Sequence, residues 1–278
     1  MKKAALLAAM VLTASARLAG ADEHYTLHEN LHFGQRVGYV FDQTIKTKSI
    51  SVTNDKKTVT DTLAGQHWKV AMTVFGVKDG SATREMVVFD PGSYDTTSDN
   101  GKEQKIKCPF AGKTINLTRH ADESITNSFP SNAIDDDVNS LNSIIIPDED
   151  FYPDSPVAVG DIWDNSAKYS RHMGLGPQDR ILSKCRLDWV KTIGGKQMAH
   201  ITDSVGSIYY EAGNVEEDMT YSMTALVDIA AGMIVKCKTS GSSAYSTPPA
   251  EATQVTGGVQ FDYHGCVVGY EKYDLSDQ

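Results

Sequence analysis

The chain has 278 residues, of which 40% are hydrophobic and 22% charged, and its formal net charge at pH 7 is −10. Nucleic acids and anionic membrane surfaces are bound through clustered Lys and Arg, so the acidic balance argues against both as partners. The length accommodates one large β-rich domain with its own core. The sequence leaves the oligomeric state open.

The first 21 residues have the three parts of a secretory signal peptide. Two lysines follow the initial Met, residues 4–14 form an apolar run without charge, and residues 19–21 (Ala-Gly-Ala) form a small-residue cleavage site. The apolar run is shorter than the roughly 20 residues that a membrane-spanning helix needs. No later segment is long and apolar enough to span a membrane. We therefore expect cleavage after Ala21 and a periplasmic or secreted protein.

Residues 31–120 show the alternation of apolar and polar side chains that is typical of β-strands. The stretches RVGYVFDQTIKTKSISV and HWKVAMTVFGV both alternate with a period of two. Asp79-Gly80 separates two apolar runs and predicts a tight hairpin turn. Asn100-Gly101 predicts a second turn of the same kind.

The middle of the chain is acidic and contains the best helix pattern. Residues 121–167 hold eleven acidic residues and neither Lys nor Arg. Four apolar residues within this stretch share one helix face: Ile134, Val138, Leu141 and Ile145. This spacing predicts one principal helix near residues 131–146. The acidic groups at 135–137 and 148–150 could also bind Ca²⁺, but no EF-hand loop is present, and a helix N-terminus followed by a solvated loop explains them.

Residues 162–273 return to β-structure, with turn signals at Gly194-Gly195 and at residues 230–232. Turn signals that recur every 8 to 15 residues favour antiparallel pairing. We predict a mainly β (α+β) fold, a curved antiparallel sheet or half-barrel meander with the one principal helix. A single extracytoplasmic domain would then follow the signal peptide. This domain would span residues 22–278. Within it, the acidic, helix-containing segment at 121–161 would join the two β subregions at 31–120 and 162–273. The two β subregions could be a duplication.

The segment PDSPVAVGDIW, residues 153–163, links the helix to the second β subregion. Its prolines hold the chain extended, Gly160 permits a turn, and Ile162 and Trp163 begin a strand. Together with the stretch CPFAGKTINLTRHADESI and the meander that follows, it resembles a group of secreted, planctomycete-type bacterial β-proteins of unknown function, over about residues 31–245. The architecture is also similar to that of half-barrel carriers of lipids and lipoproteins in the bacterial envelope. The resemblance implies no catalytic residues.

Four cysteines in an exported chain permit two disulfides. A β-hairpin centred near residue 250 or 251 would place position 237 opposite residues 264–265, so Cys237–Cys266 is the first candidate pair. The alternation of their strands points the two side chains apart unless a bulge at Gly265 brings them together. The rival pair is Cys185–Cys237. The remaining alternative is that the cysteines are ordinary buried thiols.

Three histidines near the N-terminus lie four residues apart: His24, His28 and His32. On a helix they would share a face and could bind Zn or Cu. A solvated N-terminal segment is the alternative, because Thr26, Phe33 and the strand that follows disfavour a stable helix.

Motifs for known chemistry are absent from the sequence. There is no G-x-S-x-G, H-E-x-x-H or P-loop pattern and no dinucleotide fingerprint, so we predict no cofactor and no catalytic residue.

Three function classes remain. The first is a non-enzymatic extracytoplasmic binding or carrier protein for an apolar small molecule or an envelope protein. The second is a small extracytoplasmic hydrolase, and the third a metal-binding envelope protein that uses the N-terminal histidines. An apolar groove would favour the carrier, and a His beside a Ser or a carboxylate pair would favour the hydrolase.

Overall fold

The chain folds into one large, open, antiparallel β-sheet, which confirms the predicted mainly β class. The structure is a computed structural model that describes residues 23–53, 55–99, 102–120, 125–128, 151–172, 180–212, 215–247, 253–271 and 275. The predicted signal peptide (1–21) and principal helix (131–146) lie outside these residues. Among the described residues, no helix is long and apolar enough to cross a membrane.

The sheet is built from fourteen described strands, and one short helix, α1 (Ser166–His172), follows the eighth. The strands are β1 Arg36–Thr53, β2 Lys56–Lys78, β3 Ser81–Phe89, β4 Tyr94–Asp99, β5 Lys102–Lys107, β6 Thr114–Arg119, β7 Ile125–Ser128, β8 Ile162–Asp164, β9 Arg180–Leu182, β10 Lys184–Ile193, β11 Lys196–Ala212, β12 Val215–Asp228, β13 Met233–Ser246 and β14 Thr253–Val267.

The first and last strands pair at the middle of the sheet. The strand order is β7-β6-β3-β2-β1-β14-β13-β12-β11-β10-β8, with β4, β5 and β9 paired off this path. β1 and β14 are in register from Tyr39 opposite Val267 to Thr53 opposite Thr253. An N-terminal meander and a C-terminal meander are therefore joined side by side through these two strands.

The hairpin turns lie where the turn residues predict them. Asp79 and Gly80 have φ angles of 55° and 87° and connect β2 to β3. Gly194 and Gly195, with φ angles of 58° and 83°, connect β10 to β11 in the same way. Positive φ at both central residues is the requirement of a type I′ turn. Asn100-Gly101 lies outside the described residues.

The two faces of the sheet differ in polarity. Along β1 from residue 41 to residue 49, odd-numbered side chains are half-buried and even-numbered ones are exposed. We call the face with the odd-numbered β1 residues the apolar face and the other the polar face. Directly opposed residues project on the same side, so the pairing register extends both faces across the neighbouring strands.

Among the described residues, segments outside the long strands cover only one half of the apolar face. We call this the inner half; it lies toward the turns at residues 79–80 and 229–232. Four residues of the covering segments pack there on β10 to β13: Leu27, Phe151, Tyr152 and Val157. Cys108 and Phe110 pack on β2, β3 and β6 in a second cluster. The outer half lies toward the turns that end β1, β11 and β13.

The proline-containing segment forms a fixed joint beneath the inner half. Val157 is buried and pairs with Tyr25 through two backbone hydrogen bonds. The Asp161 carboxylate accepts a hydrogen bond from the Ala158 amide at 2.8 Å. The Trp163 indole donates to the Phe151 carbonyl at 3.0 Å and packs on the core. The prediction that Ile162 and Trp163 begin a strand is confirmed by β8.

The predicted Cys237–Cys266 disulfide is not formed, and no disulfide joins any of the four cysteines. Cys237 lies opposite Gly265, as the hairpin centre predicted, but Cys266 lies opposite Lys236 in an uninterrupted register. Because neighbours in a strand alternate between faces, the two thiols project on opposite sides. The rival partner Cys185 is three strand spacings from Cys237, about 14 Å, which is beyond the reach of a disulfide.

Candidate ligand-binding face

The outer half of the apolar face carries half-exposed apolar and aromatic side chains. Along β12 and β14, the described residues of the clusters that contain the covering segments extend outward only as far as Met223 and Tyr263. Beyond them, the partly exposed residues of this face include Ile45, Met219, Tyr221, Tyr245, Val259 and Phe261. This surface is the strongest candidate for a binding site.

Two aromatic rings of this face lie across glycines of the neighbouring strand. Phe261 is opposite Gly241, and Tyr245 is opposite Gly257. A Cβ atom on Gly241 would stand 2.5 Å from Cζ of Phe261, and one on Gly257 would stand 2.5 Å from Cζ of Tyr245. Each ring therefore occupies the space that a side chain opposite would need, and glycine at these positions lets the ring lie on the sheet.

Two further residues lie between the two rings. They are Ser243 and Val259, which are paired in register, one from each strand of the hairpin. We call these four residues the aromatic slot: Phe261 and Tyr245 are its walls, and Ser243 and Val259 its floor. Ser243 is 6% exposed, and its hydroxyl has no hydrogen-bond partner among the described residues.

The aromatic surface continues toward the inner half. The rings of Phe41 and Tyr263 are stacked at 6.1 Å, and those of Tyr39 and Phe41 at 5.6 Å. The Tyr263 ring reaches over Gly265. Aromatic pairs in such offset geometry contribute beyond their buried area, so this row is a rigid apolar platform rather than a set of mobile side chains.

The charged side chains of β1, β13 and β14 lie on the polar face. On β1, Asp42, Lys46 and Lys48 hold the exposed even-numbered positions. On β13, the register puts Lys238 on the same side, opposite His264, which is opposite Asp42. The floor and walls of the aromatic slot are uncharged, so the site offers hydrophobic contact and two hydroxyls, those of Ser243 and Tyr245.

His200 lies beside a carboxylate, as a hydrolase would require, but both its ring nitrogens are engaged. Nδ1 is 3.0 Å from Asp188 Oδ2, and Nε2 is 3.0 Å from the Leu275 carbonyl oxygen. The ring also stacks on Trp189 at 4.8 Å. A general base needs a free nitrogen toward the nucleophile, so this arrangement fastens the C-terminal segment and does not activate a hydroxyl.

A second polar cluster also fastens the C-terminal segment. Lys196 Nζ is 2.7 Å from Asp228 Oδ2, and the Tyr270 hydroxyl donates to the same oxygen at 2.9 Å. Burial raises the pKa of Asp228, but the hydrogen bonds from Lys196, the Ala231 amide and Tyr270 outweigh it and leave the pKa lowered. The carboxylate is thus held ionised, in a structural role.

Cys185, one of two fully buried thiols, is poorly suited to nucleophilic chemistry. Cys185 is fully buried, and the Asn165 amide donates to its sulfur at 3.4 Å. Burial, followed by the charge of Asp203, raises the pKa of this thiol far above its usual value. Only the thiolate is an effective nucleophile. Asp203 itself accepts hydrogen bonds from the Ser183 hydroxyl and the Lys184 amide.

The three N-terminal histidines lie in an extended segment rather than on a helix. His24, His28 and His32 are all exposed. In the part of the chain that the structure describes, no three His, Cys, Asp or Glu side chains are grouped so as to hold a metal ion. The metal site at these histidines remains a prediction from their spacing alone.

Comparison with known proteins leaves the function open. No family model and no curated protein matches the chain. Similar solved structures include lipovitellin, with a TM-score of 0.42 and 10% identity over 83% of this chain. The chain covers 25% of the length of that lipovitellin chain.

Two further similar structures are bacterial. A DUF1329 family protein from Desulfovibrio piger has a TM-score of 0.15 and 8% identity, over 79% of this chain and 83% of that one. An outer membrane lipoprotein-sorting protein domain from Vibrio parahaemolyticus has a TM-score of 0.14 and 7% identity, over 84% and 89%. Similarities at this level assign no function.

Proposed function

We propose that the protein is a non-enzymatic, extracytoplasmic binding or carrier protein whose apolar ligand lies on the outer half of the apolar face. The observation that carries the proposal is the one-sided exposure of this half. Its aromatic and aliphatic side chains are half-exposed on one face, and the charged side chains of β1, β13 and β14 are on the other. Contiguous exposed apolar surface of this kind marks a binding site.

The energetics of the face suit an alkyl chain. Burial of apolar surface contributes roughly 25 cal/mol per Å², so a ligand that covers about 200 Å² of the platform would gain roughly 5 kcal/mol before the costs of association.

The test compares two aliphatic residues on opposite faces of the same hairpin. Ile45 is on the apolar face, and Leu63 is on the polar face, one register step away. The uncharged dye N-phenyl-1-naphthylamine, whose fluorescence rises in apolar surroundings, serves as the probe. We expect Ile45→Ser to weaken dye binding about tenfold and Leu63→Ser to leave it within twofold. Absence of dye binding, or equal loss in both variants, would contradict the proposal.

The extracytoplasmic location rests on the N-terminal sequence alone. If the protein is exported and cleaved as proposed, the mature form begins at Asp22. N-terminal sequencing of protein from the culture medium or the periplasmic fraction would establish this. Recovery of the chain from the cytoplasmic fraction with residues 1–21 intact would refute it.

A further inference from the structure

The hydroxyl of Ser243 is an unexplained polar group of the outer half. Ser243 is 6% exposed, and among the described residues its Oγ is buried without a hydrogen-bond partner. Buried hydroxyls in folded proteins nearly always have a partner, because an unsatisfied one has lost its water without compensation. The partner of this hydroxyl therefore lies outside the described residues, as a bound ligand would.

The position of Ser243 places this hydroxyl on the floor of the aromatic slot. Its strand neighbours on the same face are Gly241, beneath the Phe261 ring, and Tyr245, whose ring crosses to Gly257. The two rings come from opposite strands and flank the serine from both sides along the hairpin. A ligand that displaces either ring outward reaches the hydroxyl.

The charges near the slot restrict the polar group that could meet Ser243. Lys46 and Lys48 of β1 and Lys238 of β13 are on the polar face. The slot's own four residues are uncharged. A carboxylate or phosphate there would lose its hydration without a counter-charge, which is strongly unfavourable. An ester carbonyl needs only the single donor that the serine offers.

We propose that the aromatic slot takes an uncharged lipid acyl ester, whose carbonyl oxygen accepts a hydrogen bond from Ser243 Oγ and whose alkyl chain lies along the aromatic platform. This inference rests on the proposed function and adds the chemical class of the ligand. It distinguishes an ester from a free fatty acid, which carries the same chain, and from a plain hydrocarbon, which lacks the acceptor.

The experiment measures displacement of the bound naphthylamine dye at pH 8 by three probes of similar length: methyl decanoate, undecane and decanoate. Wild type, Ser243→Ala and Ser242→Ala are compared. Ser242 is the matched control, because it is exposed on the polar face of the same strand. We expect methyl decanoate to bind wild type most tightly, Ser243→Ala to lose about five- to tenfold for the ester, and undecane to change less than twofold.

Every other outcome contradicts either the acyl-ester assignment or the proposed function. Equal loss for ester and undecane in Ser243→Ala would mean that the serine is only a packing residue. No loss for either probe, or tighter binding of decanoate than of the ester, would also overturn the acyl-ester assignment while leaving an apolar site. If the dye binds wild type and none of the three probes displaces it, the ester assignment fails. If the dye itself does not bind, the proposed function fails first. Thermal melts of each variant verify that it is folded.

Discussion

Glu85 illustrates how a single carboxyl couples stability to pH. Burial, and after it the charge of Glu29, raises its pKa from the ordinary 4.5 to about 7 against the opposing charge of Arg119. Between these two pKa values the folded state binds more protons than the unfolded state. Stability therefore falls as pH rises through this window, and the whole loss is present above pH 7.

We expect Glu85→Gln to remove this dependence. The variant should be more stable than wild type by about 2 kcal/mol at pH 8, and the difference should vanish by pH 4, where the wild-type carboxyl is protonated in both states. Urea unfolding at pH 4, 6 and 8 measures it. Glu103→Gln, on the exposed strand β5, is the control. Parallel pH profiles for wild type and Glu85→Gln would show that this carboxyl is not the cause.

Individual residues also show which contacts of the candidate site can be predicted from the sequence and which cannot. The hairpin centre near residue 251 was deduced for the cysteines, and the same centre places Gly241 opposite Phe261 and Tyr245 opposite Gly257, as found. The aromatic slot was therefore within reach of the sequence. The opposite projection of Cys237 and Cys266 follows from the same register. The engagement of His200 by Leu275 was not within reach, because it depends on how the C-terminal segment crosses the sheet.

Among the elements, the β13–β14 hairpin is the one whose glycines support the proposed site. A Cβ at position 241 would stand 2.5 Å from the Phe261 ring and 2.5 Å from the backbone oxygen of Thr220. We expect Gly241→Ala to lower the free energy of unfolding by about 1–3 kcal/mol and to weaken dye binding, because the ring is pushed off the sheet. Thermal unfolding and dye titration measure the two effects. Ser242→Ala on the same strand should change neither the stability nor the dye binding. If Gly241→Ala has the stability and dye affinity of wild type, the hairpin accommodates a methyl group and the expectation is wrong.

Strand β5 is an edge that lysines protect. In the described residues it pairs only with β4, and all six of its side chains are exposed. Lys102, Lys105 and Lys107 follow one another along it, and the Lys105 ammonium lies 3.4 Å from the centroid of the Tyr94 ring. Charged side chains on an edge strand discourage pairing with another molecule.

Replacing all three β5 lysines by Thr should therefore promote self-association, seen as increased light scattering at constant protein concentration. The control replaces Lys46, Lys48 and Lys238, on strands paired at both edges, with Thr. Both variants lose the same charge, so a difference between them reports the edge and not the net charge. Equal scattering from the two variants would show that the β5 lysines do not protect the edge.

Whether an element could be foreseen depended on how local its determinants are. Hairpins marked by Asp79-Gly80 and Gly194-Gly195 were predicted because the turn residues alone dictate the backbone. The pairing of β1 with β14 has no local signal, since both strands simply alternate. Helix α1 was missed for a similar reason: it has seven residues and no acidic residue in its first turn, so neither periodicity nor capping marks it.

At the scale of the whole molecule, the sheet combines a closed half with an open half. Phe110 of the inner half is 1% exposed, and its ring lies 5.2 Å from Phe89 and 5.8 Å from Trp68. We expect Phe110→Ala to lower the free energy of unfolding by about 3–5 kcal/mol and Phe261→Ala, in the open half, to lower it by about 1 kcal/mol. Urea unfolding compares them. Similar losses would mean that the outer half is as closely packed as the inner.

The pairing of the first strand with the last determines when this molecule can finish folding. Each meander joins strands that follow closely in sequence, but the seam between them requires Tyr39 to meet Val267, and contacts between such distant residues form slowly. While the chain emerges from the ribosome, β1 keeps one long edge unpaired until β14 has been made. During that interval the nascent chain is open to domain swapping. The β14 strand of one copy could pair with β1 of another copy and yield an intertwined dimer.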